Sequence, residues 1–137
     1  MLMMRKNSRK NCTLGDFIRY VATVSTKEYN GFPYGDDISW HRMLLEIRNK
    51  NADLEPFNSI TFVFDESAYP ICMEMNEFLD ILRWTGALVT EYPVSRTVKI
   101  KPDLADIWEK ELDEHSQRYR EIIRESAKKL MEYTLNG

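Results

Sequence analysis

The chain is poor in residues that react and residues that punctuate. Among 137 residues there are two cysteines, two histidines, five glycines and five prolines. Cys12 and Cys72 have no CxxC partner and no metal-ligand spacing, so neither a disulfide framework nor a cysteine metal centre is expected. Two reduced thiols are the simpler reading. General acid–base chemistry would draw on His41, His115 or one of many Asp and Glu, and neither His has a ligand or nucleophile partner at a motif spacing. The P-loop, GxGxxG, HExxH and GxSxG patterns are absent. The expectation is therefore a non-enzyme with no cofactor and no metal. No apolar run reaches the ~18 residues of a membrane span. Met1-Leu2-Met3-Met4-Arg5-Lys6 turns polar too soon for a secretion signal, which points to a cytoplasmic protein with no membrane partner. Strong charge of one sign is missing too. The net charge is −3 and the pI about 5.5, so the overall field does not attract polyanions.

What is present reads as helices around a few short strands. Residues 1–12 form a basic N-terminal arm with Arg5, Lys6, Arg9 and Lys10 and no acid. Such runs are commonly frayed, solvated ends, or arms that lie on nucleic acid. Thr13 then caps a helix with Asp16 three residues on. Leu14, Phe17, Ile18, Val21 and Ala22 follow at helical spacing, with a stop expected near Ser25. Asn30-Gly31-Phe32-Pro33-Tyr34-Gly35 is turn chemistry. Asp36 or Asp37 caps a second helix with Ile38, Trp40, Met43, Leu44 and Ile47 inward and His41, Arg42, Glu46, Arg48 and Lys50 facing elsewhere. The paired aspartates suit a helix N-terminus better than a metal.

Ile60-Thr61-Phe62-Val63-Phe64 alternates and is β-prone, which predicts a strand. A third helix is expected over about Met73 to Thr85, with Met75, Phe78, Leu79, Ile81, Leu82 and Trp84. Gly86 ends it. Ala87 to Tyr92 and Thr97 to Lys101 then read as a hairpin around Pro93-Val94-Ser95-Arg96.

A helix closed by glycine and followed at once by a hairpin, with two helices before it, resembles a winged helix-turn-helix domain. Phe78-Leu79-Asp80-Ile81-Leu82-Arg83-Trp84-Thr85-Gly86-Ala87-Leu88-Val89 carries that likeness. The helix must reverse sharply, and glycine takes a positive φ at little cost. A narrower likeness covers residues 38–101. Phe64-Asp65-Glu66-Ser67-Ala68-Tyr69-Pro70 and Thr85-Gly86-Ala87-Leu88 resemble the core of Panacea-type, antitoxin-associated domains and their archaeal relatives. Tyr69-Pro70-Ile71-Cys72 departs from their Pro-Tyr-Ser. The resemblance implies an α+β fold, a winged-helix-like domain over 13–102, and no catalytic residue.

Winged helices commonly bind duplex DNA, chiefly through Lys and Arg on phosphates. Here the third helix offers Glu74, Glu77 and Asp80 against Arg83, which repels a phosphate backbone. The candidate nucleic-acid contacts are instead Arg96, Lys99 and Lys101 at the wing, supported by Arg5, Lys6, Arg9 and Lys10. The leading expectation is a DNA-binding, transcription-regulator-like module. The alternative is a protein–protein adaptor, antitoxin-like or associated with a phage or mobile element, that leaves DNA alone.

The second candidate site is the segment 103–137. Residues 103–134 contain no Gly and no Pro, and one helix of that length would reach roughly 48 Å. Trp108, Leu112, Tyr119, Ile122 and Leu130 recur near heptad spacing, interrupted by His115 and Ser126. Such a rod has more apolar surface than its own small domain covers. It is therefore expected to form the interface of a homodimer, with those five residues as anchors. Its first third is acidic and its remainder basic. That arrangement suits the helix dipole or an antiparallel partner helix.

Overall fold

The computed structural model describes residues 13–33, 37–64, 70–90 and 97–136. The chain is α+β; its described residues form five α-helices around a small three-stranded antiparallel sheet, the last of them a long helix. The basic arm 1–12, Asp36, and the hairpin tip with Arg96 lie outside the described residues.

Helix α1, Leu14–Tyr29, starts at a full capping box. The Thr13 hydroxyl accepts the Asp16 N–H at 3.1 Å, and the Asp16 carboxylate accepts the Thr13 N–H at 3.3 Å. Two orphan donors are thereby satisfied. The helix runs on past Ser25, because nothing breaks it until Asn30 enters the left-handed region. Gly31 follows at φ 135°, and a Cβ there would stand 2.9 Å from the Val98 carbonyl oxygen. Strand β1, Phe32–Pro33, can therefore approach the strand that holds Val98 only through a glycine.

The expected turn thus contains the first strand, and the expected strand at Ile60–Phe64 is not in the sheet. β1 pairs with β3, Thr97–Ile100, which pairs with β2, Leu88–Thr90, in the order β1-β3-β2. Pro33 is tolerated because β1 is an edge. Of residues 60–64 only Val63 forms a bridge, to Ile71. Alternation described a chain with two faces, but no sheet edge lies beside it.

Helix α2, Ile38–Lys50, follows Asp37, whose side chain makes no capping bond. Its carboxylate takes the Arg83 guanidinium at 2.7 Å instead, tying the start of α2 to α3, Met73–Trp84. Gly86 at φ 78° ends α3 as expected.

The single rod expected past Pro102 is two helices, α4 over Pro102–Asp113 and α5 over Gln117–Asn136. The Ser116 hydroxyl accepts the Tyr119 N–H at 3.2 Å, the bond of an N-cap. The Arg120 guanidinium donates to the carbonyls of Asp113 and His115, so the loose end of α4 is closed by the first turn of α5. Serine competes with helix interiors and favours caps, and no Gly or Pro is needed for the corner.

Both helices return to the domain. α1 is the central element: Phe17, Ile18, Val21 and Ala22 are fully buried, and α3, α4, α5 and β3 all pack on it. Phe17 meets Phe57, in the 3₁₀ turn Phe57–Ser59, edge-on at 5.2 Å. Leu112, Tyr119, Ile122 and Leu130 belong to this same core. The stripe is real, but it is covered from within. Those four side chains are not exposed anchors, because α1 and α2 already occupy their apolar face. Trp108 is half-buried.

Candidate functional site

An open apolar surface lies where α1, α3 and α4 meet. A groove of about 480 Å³ runs between them, a volume within the range of ligand clefts. Its floor is Ile18, Leu82 and Ala87, all buried. Phe78 and Ile81 of α3 form one wall, and Leu104 and Trp108 of α4 form the other. Gly15 sets the spacing: a Cβ there would stand 2.8 Å from the Phe78 ring. Beyond the α3 wall stands Trp84, 84% exposed, with Ile81 53% exposed beside it. Residues three and four apart share a helix face, so 77, 81 and 84 continue one surface of α3.

The charged groups that line the groove are Asp16 and Arg19, and further carboxylates stand on the exposed surface of the two wall helices. Arg19 places its guanidinium 5.1 Å from the Trp108 ring centroid and 5.3 Å from that of Tyr20. It is paired with Asp16 and, at 3.2 Å, with Glu111, so its charge is spent within the molecule. Glu74, Glu77 and Asp80 are exposed along α3, and Asp103 at the start of α4. Asp80 meets Arg83 at 2.9 Å. Glu74, Glu77 and Asp103 form no ion pair among the described residues.

Of the expected nucleic-acid contacts, Lys99 and Lys101 are described. They alternate with buried Val98 and Ile100, so both project from the outer side of β3. Arg5, Lys6, Arg9, Lys10 and Arg96 lie outside the described residues. Two bases of α5 meet acids elsewhere in the chain: Arg118 forks onto Asp53 at 2.9 and 3.2 Å, and Lys129 meets Glu46 at 2.8 Å. The acids of α4 meet α1, with Glu111 on Arg19, and Asp106 and Glu109 on Lys27. Part of the charge polarity of residues 103–134 is thus matched by ion pairs within the chain.

His41, expected to face away from the core, is buried. Its Nδ1 accepts the Cys72 N–H at 3.2 Å, which leaves the proton on Nε2 to donate to Asn76 Oδ1 at 2.8 Å. Both ring nitrogens serve to join α2 to α3. Burial pushes the Cys72 thiol above its usual range, which keeps it a poor nucleophile.

Sequence reasoning lists Ile81 and Trp84 with the other apolar residues of the third helix and does not separate exposed from buried positions, so the groove is missed. The available signal was excess. Met73, Met75, Phe78, Leu79, Ile81, Leu82 and Trp84 are more apolar residues than one buried face of a twelve-residue helix holds.

Comparison with protein-family models, with curated proteins and with solved structures returns no match. Among the described residues no helix is long and apolar enough to cross a membrane.

Proposed function

We propose that the chain is a non-enzymatic, winged-helix-like interaction module that captures another polypeptide at the α1–α3–α4 groove. The order helix, strand, helix, helix, strand, strand, with a β1-β3-β2 sheet, supports the winged-helix part of this reading. In that layout α3 is the helix that would enter a DNA groove. One observation carries the choice of a polypeptide over DNA. The outward face of α3 sets Ile81 and Trp84 in solvent among Glu74, Glu77 and Asp80. Carboxylates repel phosphates, whereas an exposed Trp with apolar neighbours is the composition of a protein-binding hot spot. Lys99 and Lys101 are the described cations on the wing side, and they do not offset that face.

A photo-crosslinking residue placed at Trp84, and separately at Lys101, tests this in the producing cell. Protein adducts at position 84, with none to nucleic acid at 101, are expected. Nucleic-acid adducts at 101 with no protein adduct at 84 would overturn the reading in favour of DNA. In vitro, a non-specific duplex at low salt should give no gel shift at tens of micromolar, where ordinary DNA-binding domains bind.

A further inference from the structure

We infer that the groove receives a basic amphipathic helix, its apolar side toward Phe78, Ile81 and Trp108 and its Lys or Arg side chains toward the exposed carboxylates of α3 and α4. The inference rests on the polypeptide-binding reading and adds the chemistry of the occupant. Three observations carry it.

The walls are themselves two helices, α3 and α4, and the apolar residues on each recur at helical spacing: Phe78 and Ile81 on one, with Trp84 one turn beyond Ile81 outside the wall, and Leu104 and Trp108 on the other. A trough between two helices takes a third helix that presents anchors at i, i+3, i+4 and i+7. An extended strand would need a free sheet edge, and no strand lines this groove.

Exposed carboxylates that neighbour the wall residues along α3 and α4 select the sign of the occupant. Glu74 lies one turn below Phe78, Glu77 one turn below Ile81, and Asp103 adjoins Leu104. These three carboxylates have no ion-pair partner among the described residues, while Arg19, the cation at the groove, is already held by Asp16 and Glu111. Complementary charge steers encounter and excludes wrong partners. An acidic helix would meet repulsion on both walls.

The groove is also ready to accept a guest. Trp84 and Ile81 are solvated without one, so covering them removes apolar surface from water at little ordering cost to this chain.

The test uses the full chain and synthetic helical peptides of about fourteen residues, roughly four turns, followed by fluorescence anisotropy. One peptide has Leu at the anchor positions and Lys elsewhere. A second replaces Lys by Glu, and a third scrambles the Leu/Lys order. Ordered Leu/Lys peptide should bind at least roughly tenfold tighter than either control, with an on-rate that falls with salt. Ile81→Ser with Trp84→Ser should abolish binding. Glu74→Gln, Glu77→Gln and Asp103→Asn together should weaken it about tenfold and flatten its salt dependence. The carboxylates are exposed, so these variants fold. Equal binding of Lys and Glu peptides that is still lost with Ile81→Ser and Trp84→Ser would overturn the basic partner yet leave the capture reading standing. No binding of any peptide, together with absent crosslinks at position 84, would overturn both. Binding that emerges only after Leu2, Met3 and Met4 are replaced by serine would assign the groove to this chain's own first residues and overturn a separate partner. A concentration-dependent dimer, lost with the Ile81 and Trp84 variants, would do the same in favour of a second copy.

Discussion

Helices α4 and α5 come from one run of sequence with the same stripe-and-charge pattern, yet they are held by different forces. α5 buries Tyr119, Ile122, Ile123, Ser126, Ala127 and Leu130. The buried Ser126 hydroxyl donates to the Ile122 carbonyl at 2.7 Å. α4 buries only Ala105 and Leu112, with Leu104 and Trp108 half-covered. What α4 lacks in burial it has in charge, with Arg19 on Glu111, Lys27 on Asp106 and Glu109, and Arg19 over Trp108. Apolar burial contributes about 1.5–3 kcal/mol per large side chain, whereas exposed ion pairs contribute little. The contrast divides labour. α5 is part of what makes the domain fold. α4 is a surface element whose inner edge is one wall of the groove.

The sharpest way to break this contrast is to delete equivalent apolar atoms from each helix. Leu130→Ala, at a side chain 1% exposed, should cost about 2–5 kcal/mol in urea unfolding, from lost burial and the cavity left behind. Ile107→Ala on α4, at a side chain 52% exposed, should stay within about 0.5 kcal/mol. Similar losses in both would mean the two helices are held alike. Next in size is the corner between them. Ser116→Ala removes the hydroxyl that accepts the Tyr119 N–H and should cost about 1 kcal/mol. Ser116→Asp should restore it, and failure of that rescue would show that the corner does not depend on the cap.

That corner also shows what was legible in the sequence. The apolar positions of residues 103–134 were read correctly, because periodicity reports which side of a helix is greasy. Periodicity does not report what covers that side. The step from Trp108 through Leu112 and Tyr119 to Ile122 keeps helical spacing across a corner, since both helices lie on the same core. Absence of Gly and Pro then suggested one rod, although Ser116 and Arg120 were enough to turn it. The strand at Phe32–Pro33 was hidden for the opposite reason. Its two residues sit in a stretch rich in turn formers, and only their pairing with Thr97 and Val98, distant in sequence, makes them a strand. The capped start of α1 at Thr13, the glycine after α3 and the pairing of β2 with β3 depend on local chemistry, and these were legible. The groove was not, because it is the gap left when three separate helices pack.

Salt probes the weaker half of the contrast. At about 1 M salt the screening length falls to ~3 Å, so the α4 clamp to Arg19 and Lys27 should loosen. Hydrogen exchange of α4 amides should speed up severalfold while that of central α5 amides, which report global opening, changes little. Uniform change along both helices would remove the distinction.

The smallest expected effect concerns charge on the strongly buried helix. Glu46 of α2 accepts from Lys129 at 2.8 Å and from the Tyr133 hydroxyl at 2.6 Å, both on α5. Lys129 chiefly, then Tyr133, hold its carboxyl below the usual 4.5. A carboxyl lowered by folding adds stability that is complete above its unfolded value and is lost as pH falls through the lower folded one. Thermal unfolding of Glu46→Gln should therefore lie below wild type at neutral pH, and the gap should close as pH falls below about 4.5. Because Glu46 is half-exposed, the neutral gap should be small beside that of Leu130→Ala. A gap as large as the cavity variant's would mean that α5, like α4, is held chiefly by its ion pairs.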